Sequence, residues 1–154
     1  PAQYRRAIYT HWQRQFLHPM LKAFDAPSRE ECTAQRPISN TPLQALTLLN
    51  DPSFLEAARV FAEQLLQQPG EQGERLRTTW QQTLGRNPLD RELEVLAELL
   101  TRMRTQYRQQ PAEARRLVEI GQSPTPQGAD LAELAAWTTV VRVLFNLDET
   151  LTRN

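Results

Sequence analysis

The chain has 154 residues, with 18 basic and 18 acidic side chains, 11 prolines, five glycines and a single cysteine. That length is about one domain, enough to bury roughly 68–70% of the surface of the unfolded chain, and a lone cysteine excludes an internal disulfide framework. Zero formal net charge argues against a dedicated nucleic-acid binder, and a mean hydropathy of −0.59 with no apolar run near ~20 residues argues against direct membrane insertion.

The start, PAQYRRAIYTHW, has no initiator methionine and no apolar signal-peptide stretch, so the chain is expected to be a piece of something longer. From Tyr4 to Leu17 the residues Ile8, Trp12 and Phe16 recur at steps of four. This predicts a helix with its aromatics facing the core and its arginines at the rim, ended by Pro19. Residues 19–40 hold three prolines and no sustained periodicity. A connection of ~20 residues is longer than bundles ordinarily use, and loops of that kind are often functional.

Two helix starts follow. Thr41-Pro42 and Asp51-Pro52 each place a capping oxygen before a proline at the first helical position, where its missing N–H costs nothing. They predict a short helix over Leu43–Leu49, ended by Asn50, and a second over Ser53–Gln68 with Phe54, Ala58, Phe61 and Leu65 on one face and Leu55, Ala62 and Leu66 beside it. A third, from about Glu71 to Leu84, sets Leu76, Trp80 and Leu84 four apart, with Gly85 as a left-handed cap. Asn87-Pro88 opens the longest, to about Gln110. Its Leu89, Leu93, Leu96, Leu100, Met103 and Tyr107 form a coiled-coil-like seam, with acids early and arginines late, as the helix dipole favours. A short helix is predicted over Ala112–Ile120 and a Pro/Gly turn over Gly121–Ala129. The last helix, Leu131–Leu147, is apolar nearly all round and belongs in the middle of a bundle. No run alternates as a strand would.

Chemistry-bearing residues are sparse. His11 and His18 lie too far apart to share a metal ion and read as surface groups. Cys32 has Arg29 and Arg36 nearby, which would favour a reactive thiolate, but no histidine neighbours it, and a buried inert thiol is the plainer expectation. No phosphate-binding glycine loop, nucleophile elbow or haem-attachment motif occurs. What remains is the polar loop set Asp25, Arg29, Glu30, Glu31, Arg36, Asn40 and Gln44. The plain expectation is an Arg–carboxylate lattice satisfying the loop's backbone; the sharper one is a cleft for an anionic or hydroxyl-rich ligand.

At these positions the chain resembles a known family. The patterns R-R-x-I-Y-T-x-W (Arg5–Trp12), F-D-A-P-x-R-x-x-C (Phe24–Cys32), N-T-P-L-Q-A-L-x-x-L-N-D (Asn40–Asp51), G-x-S-P (Gly121–Pro124), E-L-A-A-W-T (Glu133–Thr138) and N-L-D-E-x-x-T-R (Asn146–Arg153) stand here in order. They resemble the C-terminal domain of unknown function in planctomycete-type cytochrome c domain-containing proteins. The middle, about 69–120, is similar only through Gly85–Pro88. The resemblance implies a parent chain exported to a periplasm-like envelope compartment, with haem in a separate domain and none in this segment, and an apolar face left for preceding parts of the chain to cover. It implies no activity.

These readings converge on an all-α, irregular bundle of five to seven helices with one long ordered loop over about 19–40, a single domain spanning 1–154. The expected role is a non-catalytic docking module whose partners are upstream domains of the same chain. Its candidate surface is Asp25, Arg29, Cys32, Arg36, Asn40 and Gln44, with no metal and no nucleic acid. The alternative is part of an envelope redox or carbohydrate-processing enzyme completed by upstream domains, with Asp25 as acid/base and Arg29 as anion clamp. A weaker one is a carbohydrate-binding module stacking sugars on Trp12 or Trp80.

Overall fold

A computed structural model describes residues 4, 7–11, 16–27, 30, 32–35 and 39–152. Among them are a 3-10 turn at Ala7–Tyr9 and eight α-helices: α1 Pro19–Ala23, α2 Pro42–Asn50, α3 Pro52–Gln67, α4 Gln72–Leu84, α5 Asp90–Gln109, α6 Pro111–Val118, α7 Leu131–Phe145 and α8 Asp148–Leu151. No strand occurs among the described residues.

The bundle is built around α7. This helix packs against α3, α5 and α6, and more lightly against α2, α4 and α8. Leu134, Trp137, Val140, Val141 and Leu144 are buried on it, together with Ala135, Ala136 and Thr138. Fully buried alanines on both helices, Ala58 and Ala62 on α3 and Ala135 and Ala136 on α7, let two backbones come close, because close packing tolerates no unfilled space. The Thr138 hydroxyl donates to the Leu134 carbonyl at 2.7 Å, so its burial leaves no orphan group. The α5 seam behaves as its spacing predicts over Leu96, Leu100 and Tyr107, all buried, but opens at its start, where Leu89 is 66% exposed.

Punctuation explains the joints. Thr41 caps α2: its Oγ1 accepts from the Gln44 N–H, and the Gln44 side-chain oxygen accepts from the Thr41 N–H, a capping box. Asp51 closes α2 through its N–H to Thr47 and opens α3 through its carboxylate, which accepts from the Ser53 N–H at 2.8 Å. One residue thus turns the chain between two helices. Gly85 ends α4 with φ +76°, a conformation that a side chain would strain.

Two segments differ from the sequence expectation. In the predicted helix Tyr4–Leu17, the helical piece among the described residues is Ala7–Tyr9; Ile8, Tyr9 and Phe16 are 73%, 72% and 74% exposed. Trp12 lies outside the described residues. An amphipathic stripe is held helical chiefly by the surface it buries against, and the described Ile8 and Phe16 of this one stand exposed. The second difference is Pro19, which starts a helix instead of ending one. At the first position of α1 its missing N–H is one of the groups with no intrahelical partner anyway. The long connection therefore carries a five-residue helix.

Candidate functional site

Asp25 organises the described part of the loop. It follows α1 with φ +55°, and the N–H groups of Asp25 and Ala26 return to the carbonyls of Lys22 and Leu21 at 3.2 and 2.9 Å. This is a Schellman stop, in which glycine usually takes the left-handed position. Asp is one of the few other residues that tolerates it, and it brings a carboxylate that glycine lacks. That carboxylate accepts from the Ser39 N–H at 2.8 Å, from the Ser39 hydroxyl at 2.7 Å, and from the Gln44 amide at 3.2 Å. Gln44, 3% exposed, therefore uses its oxygen on the α2 cap and its nitrogen on Asp25. The Phe24 and Phe54 rings, 5.9 Å apart, dock the end of α1 on the start of α3.

Of the six candidate residues, Asp25 and Gln44 meet directly. Asn40 is exposed and turns the other way, donating to the Asp148 carboxylate of α8 at 2.9 Å. Cys32 is exposed, which corrects the expectation of a buried thiol: the stretch 32–35 is exposed throughout, with no core above it. Arg29 and Arg36 lie outside the described residues, as does Glu31. Through Ser39 and Gln44, Asp25 anchors the loop on α2.

A second polar cluster escaped the sequence reading. Glu56 and Arg59 of α3 are 2% and 0% exposed. The two Glu56 oxygens accept from the Gln122 and Ser123 N–H groups, each at 2.8 Å. Arg59 donates to the Ser123 carbonyl at 3.0 Å and pairs with Glu63 at 3.4 Å. Gly121 has φ +110°, and a Cβ there would overlap the Glu56 side chain. Glycine is therefore required for the close approach. Burial pushes the Glu56 carboxyl up, but the Gln122 N–H, the Tyr4 hydroxyl, the Ser123 N–H and the Arg59 cation together outweigh it and hold it below the usual carboxylate range. The signal was present: Arg59 stands four after Leu55 and three before Ala62, on a stripe that is otherwise apolar.

The family model of PSD1, a protein of unknown function (DUF1553), matches residues 1–100. The chain belongs to that family. No curated protein and no solved structure matches it. The PSD1 match takes in the Asp25 loop, the proline-started helices α1, α2 and α3, and Glu56 with Arg59; the Gly121–Pro124 turn that these two side chains hold, and the central helix α7, lie beyond it.

Other charged contacts of this PSD1 member bolt helices together. Arg104 of α5 grips Glu133 of α7 with a fork at 2.7 and 2.5 Å and also bonds Gln72 of α4, while the indole of Trp137 donates to Glu133 at 2.8 Å. Burial raises the Glu133 carboxyl, and the bonds from Arg104 and Trp137 with the Arg104 charge bring it below its ordinary value. Arg86 forks onto both Glu92 and Glu149 and lies 5.0 Å above the Trp80 ring, tying α8 to the α4–α5 turn. Its guanidinium is held well above the ordinary range by bonds to Glu92 and then Glu149. Trp80 is buried beneath it, so it offers no stacking platform of the kind weighed for sugars. Arg142 of α7 donates to the Leu49 carbonyl at 2.7 Å, where the negative end of the α2 dipole suits a cation. Among the described residues no three His, Cys, Asp or Glu lie where they could hold a metal ion, and no helix is long and apolar enough to cross a membrane.

Proposed function

We propose that this domain is a docking module, without catalysis of its own, that packs against a preceding part of a longer parent chain. The observation that carries the reading is where apolar surface is left uncovered. Nine large hydrophobic residues are exposed among the described residues, and six of them, Tyr4, Ile8, Tyr9, Phe16, Leu43 and Leu46, fall within residues 1–50. Leu43 and Leu46, 61% and 56% exposed, stand one turn apart on α2, directly after the exposed loop that carries Cys32 and Asn40. Exposed apolar side chains gathered in one part of the chain, as Leu43 and Leu46 are on one turn of α2, are what an interaction site presents. The Asp25–Ser39–Gln44 contacts support the same reading, because they fix the loop and the start of α2 as one rigid edge of that site.

On this reading the parent resembles exported multidomain chains whose haem sits in another domain, and the compartment is a periplasm-like envelope. Binding is measured by calorimetric titration of the chain with the separately produced preceding part of its parent. The expected result is micromolar or tighter affinity that falls at least about tenfold in a Leu43→Ser, Leu46→Ser double variant. Its unfolding midpoint should move little, since exposed positions typically change stability by less than about 0.5 kcal/mol. No binding by the unaltered chain, or equal binding by the double variant, overturns the reading.

A further inference from the structure

Apart from Tyr4, which it shares with the exposed residues above, a cleft of about 380 Å³ beside the Glu56 cluster is lined by a different set, Glu56, Ala57, Val60, Phe61 and Ser123, with Gln64 at its exposed rim. It has the size and the make-up of a small-molecule site, mostly apolar with a few convergent polar groups. One wall is the outer face of α3, where the Phe61 ring is steadied by parallel stacking on Phe145. The other is Ser123 with Tyr4, a residue 49% exposed. The polar atoms at hand are the Glu56 carboxylate, the Ser123 hydroxyl and the Gln64 amide.

Charge narrows the ligand. A carboxylate repels an anion, and both Glu56 oxygens are already held by backbone N–H groups with the Arg59 cation, shared with Glu63, close by, so an incoming cation must compete with a guanidinium in place. What the carboxylate still suits is a neutral hydroxyl, for which it is a strong acceptor. The protein itself supplies the precedent: the Tyr4 side chain sets an O–H, at the edge of a flat ring, on Glu56. We propose that this cleft binds an uncharged ring bearing hydroxyl groups, with Glu56 accepting from a hydroxyl in place of Tyr4 and Phe61 covering the ring's apolar face. A pyranose sugar and a phenol share that chemistry.

Saturation-transfer NMR on the full chain separates the two sources, with methyl β-glucopyranoside as one probe, 4-methylphenol as the other and benzoate as the charged control. The expected result is saturation transfer to at least one of the two neutral probes, at about millimolar affinity or tighter, and none to benzoate. Tyr4→Phe removes the competing hydroxyl and should strengthen binding severalfold. Ala57→Phe fills the cleft and should abolish it; Gln64→Trp, at the exposed rim, gives the same test should Ala57→Phe fail to fold. A signal from the sugar alone assigns a saccharide, and one from 4-methylphenol alone assigns an aromatic hydroxyl. Failure of both probes, equal binding of benzoate, survival of the signal in the blocking variants, or affinity unimproved by Tyr4→Phe overturns the proposal.

Discussion

The helix α7 and the stretch before Pro19 carry similar apolar patterns and reach opposite ends. In α7 the residues Leu134, Trp137, Val141 and Leu144 have three neighbouring helices to pack on, and all are buried. In the first stretch Ile8 and Phe16 are spaced as a helix face would need, yet both stand in solvent and the described helical piece is three residues long. Periodicity specifies which residues share a face. Whether that face is buried depends on a partner, and the pattern does not contain the partner. The core on α3 to α7 is filled from within, whereas six of the nine large hydrophobic residues exposed among the described residues fall within the first 50.

Substitutions sharpen that contrast. The largest effect is expected at Trp137, fully buried with its indole N–H on Glu133. Trp137→Ala should cost about 4 kcal/mol by urea unfolding, within the range for large aromatics; a cost near that of a surface residue would break the picture of α7 as the centre.

Next is Glu56→Ala, which takes one of the carboxylates near buried Arg59 away, leaving it Glu63, and strips two backbone N–H groups of their acceptor. The expected loss is about 3 kcal/mol. Because the folded-state carboxyls of Glu56 and Glu133 lie below their ordinary value of 4.5, the stability they contribute is present above that value and is lost as pH falls through the folded ones. Unfolding midpoints followed downward from neutral pH should drop below about pH 4.5, and less steeply in Glu56→Ala. Identical acid profiles would contradict the assignment.

A smaller effect tests the loop. Asp25→Ala keeps the left-handed strain and removes the acceptor, for a loss of about 2 kcal/mol. Asp25→Gly removes the acceptor but relieves the backbone, so it should cost about half as much. Equal losses would mean that the backbone conformation contributes nothing. The smallest change is expected for Phe16→Ser, under about 0.5 kcal/mol. A substantial loss there would show that the exposed stretch does belong to the core.

The all-α class, the central place of α7 and the helices started by Thr41-Pro42 and Asp51-Pro52 were legible, because caps and apolar spacing are local signals. Asp51 serving two helices was half legible: its role at the start of α3 follows from Asp-Pro, its role at the end of α2 only from the backbone. The Glu56–Gly121 contact was not legible, since it joins residues 65 apart and needs the fold to bring them together. Its parts were visible as an arginine on an apolar stripe and as the G-x-S-P turn, but nothing local links them. Pro19 shows the opposite failure. A proline disfavours helix before it and favours helix after it, and at Pro19 the second effect is the one that shapes the chain.

The claim that the first 50 residues form an edge made to be covered is tested most directly by hydrogen exchange, followed by mass spectrometry, on the chain alone and with the preceding part of its parent. The account expects slower exchange on addition of the partner in α1, α2 and the Ala7–Tyr9 turn, with the amides of α5 and α7 unchanged. Equal exchange with and without the partner across residues 4–50, or protection confined to α5 and α7, would contradict it.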